Sequence, residues 1–128
     1  MPGKSLTYFC FECYAENERP EGACVRCGGA IEPPPDTSYA DLLIWALHHP
    51  LAPVATHAAA VLGDVGDRRA IGPLHVLIDD PPDPYIAAAA LASLVALQGV
   101  DELRPLLERL AREAAPPVRR VAKNSLQE

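Results

Sequence analysis

The chain has 128 residues, of which 49% are hydrophobic and only 5% aromatic, enough for one domain, or one domain and a small module, with a core of Ala, Val, Leu and Ile. No apolar run approaches the roughly 18 residues of a membrane span, and the opening MPGKSLTYFC lacks the apolar centre of a leader. The net charge of −6 is shared: residues 1–36 hold three basic and six acidic side chains, residues 37–128 eight and eleven, so neither part has the basic excess of a phosphate-backbone binder.

All four cysteines fall near the start, as Cys10-Phe-Glu-Cys13 and Cys24-Val-Arg-Cys27. Two C-x-x-C knuckles separated by ten residues can close a tetrahedral thiolate cage on zinc. Without a leader, this pattern reads as a metal site in a reducing cytoplasm rather than a disulfide framework. Residues 8–30 are too few and too polar to bury a core, so metal binding supplies their folding free energy. Gly28 and Gly29 give the backbone freedom to turn after the second knuckle. The expected site is therefore Cys10, Cys13, Cys24 and Cys27 around one zinc, closed and without catalysis.

The segment CFECYAENERPEGACVRCGGAIE resembles the short zinc ribbons of prokaryotic proteins, whose pattern is C-x-x-C-G-A-E-N-P-x-G-x-x-x-C-x-x-C-G. Ala15, Glu16, Asn17 and Gly28 fit it, and Tyr14 stands where that family has glycine. The spacing is also similar to the Ran-binding-protein type of finger, some of whose members bind single-stranded RNA or ubiquitin. That family carries Trp where this chain has Tyr8, and arginines on RNA that the acidic loop here lacks. The ribbon is the better match.

A proline-rich linker follows: Pro33-Pro34-Pro35 favours an extended, semi-rigid spacer. The expected division is a ribbon at 1–32, a linker at 33–37 and a helical part at 38–128. Ser38 with Asp41 forms a capping box for a first helix that runs to about His48 and stops at Pro50. A second spans about Pro53 to Asp64, ending near Gly63 and Gly66. Asp67 caps a third, to Asp79, and Asp83 with Pro84 starts the fourth. Gly99 ends the fourth, Asp101 caps the fifth, and Pro116-Pro117 separates it from a last helix reaching Leu126. Pro73 and Pro105 fall inside the third and fifth helices, where each removes a hydrogen bond and bends the helix, Pro105 almost harmlessly.

These helices repeat at an interval of 32 residues. Val54, Ile86 and Val118 begin matching runs, with Ala58, Ala90 and Ala122 and then Leu62, Leu94 and Leu126 in step. The preceding helices give Tyr39, Ile71, Leu103; Leu42, Leu74, Leu106; and Ala46, Ile78, Leu110. Such a period marks stacked units, here three helical hairpins forming an all-α solenoid. The fourth helix has neighbours on both sides and is expected to be the most buried; Leu91 and Val95 add a second apolar stripe where the last helix has Lys123 and Gln127.

The motif Val54-Ala58-Leu62-Gly63, Gly66-Asp67, Ala70-Pro73-Leu74 resembles HEAT-like repeats of the phycobilisome-lyase subtype. The resemblance implies a three-hairpin HEAT-like α-solenoid and says little about activity.

Chemistry beyond the cysteines is sparse. His48 and His49 suit a helix C-terminus, while His57 and His75 fall on or near apolar faces as core or flank histidines. There is no G-x-S-x-G, P-loop, H-E-x-x-H or His-Glu dipeptide, so no enzyme is expected. Trp45 lies off the shared register and either caps the first hairpin, packs on the metal module or anchors a partner. Arg119, Arg120 and Lys123 give the last helix a basic face, read as a solvated end cap or a dock for an acidic partner. The functional expectation is a bacterial, cytoplasmic scaffold that binds a protein partner. The alternatives are a nucleic-acid-associated zinc module with a helical spacer, which the acidic charge disfavours, and a lyase-like accessory handling a tetrapyrrole, for which the array is short.

Overall fold

The computed structural model describes residues 7–127; part of the opening stretch read above for a leader lies outside them. The chain divides after Ser38 into two compact units, and each is described by itself.

The first unit has almost no regular structure, because it has almost no apolar surface to bury. Strand β1 (Tyr8–Phe9) pairs antiparallel with β2 (Glu16–Asn17). Its buried cluster is Cys10, Cys24 and Ile31, so two of its three members are candidate metal ligands. The unit is an internal duplicate with a 14-residue offset. The Phe9–Glu16 pair recurs as an Ala23–Ala30 bridge. The bond from Cys10 N–H to Ala15 O (2.9 Å) recurs as Cys24 to Gly29 (2.8 Å), and Tyr14 to Cys10 (2.8 Å) as Gly28 to Cys24 (3.0 Å).

The second unit is all helix: α1 (Tyr39–Ala46), α2 (Ala52–Val65), α3 (Ile71–Asp79), α4 (Pro84–Gln98), α5 (Val100–Glu113) and α6 (Pro116–Leu126). They form three hairpins, α1 with α2, α3 with α4 and α5 with α6, stacked so that α4 lies between α2 and α6. This is a three-hairpin α-solenoid preceded by a small four-cysteine module. Ile86, Ala87, Ala90, Leu91, Ser93 and Leu94 of α4 are all buried, as its central place demands, with Val95 half-buried beside them.

Local chemistry explains the helix ends. The Asp83 carboxylate accepts from the N–H groups of Tyr85 and Ile86, both at 2.8 Å, satisfying two orphan donors of α4. Gly66 closes α2 in the left-handed conformation at φ 76°. The first helix stops at Ala46, earlier than expected, because its end tightens: the N–H groups of Leu47, His48 and His49 reach back three residues to Ile44, Trp45 and Ala46.

Several sequence expectations are corrected. Asp67 caps a short 3-10 turn, Arg68–Ala70, by accepting from Arg69 N–H at 2.9 Å, and α3 starts only at Ile71. Pro73 therefore sits in the first turn of α3, where its missing N–H removes no helical bond. Helix α5 begins at Val100 after Gly99, so Asp101 is a first-turn residue paired with Arg104 at 3.0 Å, not the cap. Gly63 is not a stop signal. It lies inside α2, where an added Cβ would come within 2.9 Å of the Ser93 Cα on α4. The missing side chain lets the two helices touch. Ser93 fills the contact, accepting from Gly63 N–H at 3.1 Å and donating to the carbonyls of Ala59 and Ala60.

The register also differs in the first helix of each hairpin. Ala58, Ala90 and Ala122 keep the 32-residue step and are all buried. In contrast, Leu43, Ala46 and Leu47 occupy the places of Leu74, Leu77 and Ile78, an offset of 31, while Ala70, Leu74 and Leu77 match Leu103, Leu107 and Leu110 at 33. The two slips cancel to the uniform interval that the sequence displays. Tyr39 and Leu42, placed by that interval on the core side, are consequently exposed. Val54 is exposed too, since α2 has no helix on its outer side.

Candidate metal centre

Each C-x-x-C sits on a tight turn whose backbone curls N–H groups onto sulfur. Glu12 N–H points to Cys10 Sγ at 3.3 Å, Arg26 N–H to Cys24 Sγ at 3.4 Å and Gly29 N–H to Cys27 Sγ at 3.4 Å. Such donors favour thiolate over thiol and orient the lone pairs inward. Closing these turns requires a residue with positive φ after each second cysteine: Gly28 at 75° and Tyr14 at 64°. Tyr14 is thus a bulky residue at a position that prefers glycine, the physical reason for the glycine in the ribbon pattern.

The two turns bring all four sulfurs together. Cys10 Sγ lies 3.7 Å from Cys27 Sγ, Cys13 Sγ lies 3.6 Å from Cys24 Sγ, and all four lie within 4.8 Å of one another. A tetrahedral cage with metal–sulfur bonds of about 2.3 Å has sulfurs about 3.8 Å apart, so the donor set fits a single ion. Among the described residues this is the one cluster of three or more His, Cys, Asp or Glu side chains able to hold a metal.

Asn17, which the sequence marks only as a match to the ribbon pattern, braces the candidate site. It is buried, and its Oδ1 accepts from Val25 N–H at 3.0 Å while its Nδ2 donates to Ala15 O at 3.0 Å and to Cys24 Sγ at 3.5 Å. One amide thereby ties the first knuckle to the second and supports a ligand. Its fit to the ribbon pattern was the available signal.

The sulfurs are electrostatically unequal. Backbone donation from Cys27, and then the Asn17 amide, pull the Cys24 thiol down to about 6. At Cys27 the Gly29 N–H acts in the same direction, but desolvation and the three neighbouring sulfurs outweigh it and push that thiol up to about 12. Four thiolates cannot crowd together without a cation between them.

The histidines do not join this site. His48 and His57 are exposed. The apolar placement expected for His57 fails because α2 buries Ala55, Ala58, Ala59 and Leu62 instead. His49 Nδ1 accepts from Leu51 N–H at 3.1 Å, and burial lowers its pKa. His75 Nε2 lies 3.1 Å from Gln98 Oε1, joining α3 to α4 as a hydrogen-bonded flank residue. Trp45 is half-buried against the helical core, its ring edge-on to His49 at 5.5 Å.

Compared with known families, residues 40–127 match the family described as HEAT repeats. The chain belongs to the HEAT-repeat family. HEAT repeats commonly mediate protein–protein interaction, and the match covers nearly the whole HEAT array but none of the cysteines. No curated protein and no solved structure matches the chain. No helix among the described residues is long and apolar enough to cross a membrane.

Proposed function

We propose that this protein is a non-catalytic interaction module: a zinc ribbon (1–32) joined by a proline linker (33–37) to a protein-binding HEAT array (38–128), working in the bacterial cytoplasm. The observation that carries the reading is the exposed alanine-lined face shared by α2 and α4. Ala60, Asp64, Ala89, Ala92 and Ala96 line a shallow groove there of ≈ 190 Å³, beside the close Gly63–Ser93 contact. Stacked repeats bind partners along such continuous faces, and small side chains admit a partner's backbone or side chains closely.

The zinc assignment rests on the donor set. Four thiolates in a tetrahedral arrangement suit zinc, and they fill its shell, leaving no position for water or substrate. Its role is then structural, and no catalytic residue is assigned.

Native mass spectrometry of freshly reduced protein tests the metal: one zinc per chain is expected, and an iron-loaded or metal-free chain would remove the ribbon. Affinity capture from the native host tests the array. Ala92→Arg, which fills the groove without touching the core, is expected to lose a partner that the parent chain retains; identical partner sets from both chains would sink the proposed face.

A further inference from the structure

Helix α6 carries a second surface, and its chemistry is different. Pro116, Arg119, Arg120, Lys123, Asn124 and Gln127 line a groove of ≈ 290 Å³. Three of these six are cations and none is an acid. The chain as a whole is acidic, with 17 carboxylates against 11 basic side chains. Yet none of the ion pairs between described residues reaches this groove: they join Arg69 to Asp41 and Asp67, and Arg104 to Asp101.

Arg119 adds a further sign. Its Nε is buried and has no hydrogen-bond partner among the described residues. A turn of the side chain that brings the guanidinium to an incoming carboxylate would break no existing bond, and that pairing is bidentate in its best geometry. Arg119 and Lys123 stand four residues apart, as do Arg120 and Asn124, so the helix sets neighbouring side chains about 5–6 Å apart within each of two adjacent rows.

We infer that this face of α6 docks an acidic segment of a partner protein, with carboxylates spaced to meet Arg119, Arg120 and Lys123. The inference rests on the protein-binding reading above and names a surface and a chemistry for it. Three cations suit a short run of Asp and Glu. A long polyanion, such as a nucleic acid strand, would extend beyond them into the field of a chain with net charge −6.

The test uses the whole zinc-loaded chain and two labelled probes, a polyglutamate peptide and an oligothymidylate strand of equal charge, followed by fluorescence anisotropy. The peptide is expected to bind, more weakly as salt rises. Arg120→Glu with Lys123→Glu is expected to lower its affinity about tenfold or more, while Arg109→Glu, an exposed cation on α5, stays within about twofold. Thermal melting of the double variant checks that the fold survives, since both side chains are exposed. An equal loss with Arg109→Glu, preference for the oligothymidylate, or no peptide binding at low salt would each overturn the inference. Capture of the host partner by the double variant as well as by the parent chain would overturn this placement and leave protein binding standing. Capture of no partner by any chain would remove the underlying reading instead.

Discussion

Both units of this protein are built by repetition, but different forces hold the copies together. The first unit repeats every 14 residues and offers a buried cluster of Cys10, Cys24 and Ile31. The second repeats about every 32 and buries a continuous core from Leu43 to Ala122, with Leu62, Leu74, Leu91, Leu94 and Leu107 entirely inside. One set of copies brings four sulfurs together where an ion could sit, and the other covers its apolar faces with its neighbour. A short polar repeat gains too little from burial to offset the entropy of ordering its backbone. A helical hairpin gains enough once it is stacked.

The sharpest way to break the comparison is to remove the metal. Zinc binding at such sites contributes about 10–16 kcal/mol near neutral pH. Chelation is therefore expected to unfold residues 7–38 alone, visible as collapse of their amide dispersion while the helical circular dichroism persists; parallel loss of both would show that the units share one stability. Leu94→Ala should act only on the array, lowering its unfolding free energy by about 2–5 kcal/mol in a denaturant titration. Next comes Gly63→Ala. Its new methyl would lie 2.9 Å from Ser93 Cα, a backbone atom that can yield only if α4 moves, and a loss of about 1–3 kcal/mol is expected. In the first unit, Gly28→Ala imposes φ 75° on a residue with a Cβ. It should cost about 1–2 kcal/mol, read as faster zinc transfer to a chelator. Smallest of all is Leu42→Gln: this side chain is 37% exposed, and a change within about 0.5 kcal/mol is expected. A loss as large as that of Leu94→Ala would restore the uniform 32-residue register.

Those contrasts also mark what the residues disclosed unaided. The cysteine spacing, the Asp83-Pro84 start of α4 and the alanine step of the second helices are local signals with one cheap structural solution each, and the fold class follows from them. The first helices depart from the uniform register because two opposite slips of one residue sum to nothing over the chain, and only burial separates Leu42 from Leu43. Gly63 reads as a stop in the sequence because a glycine that ends a helix and one that admits another helix look alike until the second helix is in place. At the candidate metal site, the four cysteines that come together stand out in the sequence by type and spacing. Asn17 carries only its fit to the ribbon pattern, since residue type does not tell a buried amide bridging two turns from one in water. Ser93 escaped for the same reason, one hydroxyl in an otherwise apolar stripe.

The paired slips have a consequence for how this array can change length. From Leu43 to Ala58 the chain advances 15 residues, from Leu74 to Ala90 it advances 16, and from Leu107 to Ala122 again 15, while from Ala58 to Leu74 it advances 16 and from Ala90 to Leu107 it advances 17, so one slip falls within a hairpin and the other between hairpins. Insertions and deletions are thus absorbed on either side of the first helices, within hairpins and between them, whereas one within α4 would rotate everything after it by about 100° and turn its greasy side to water.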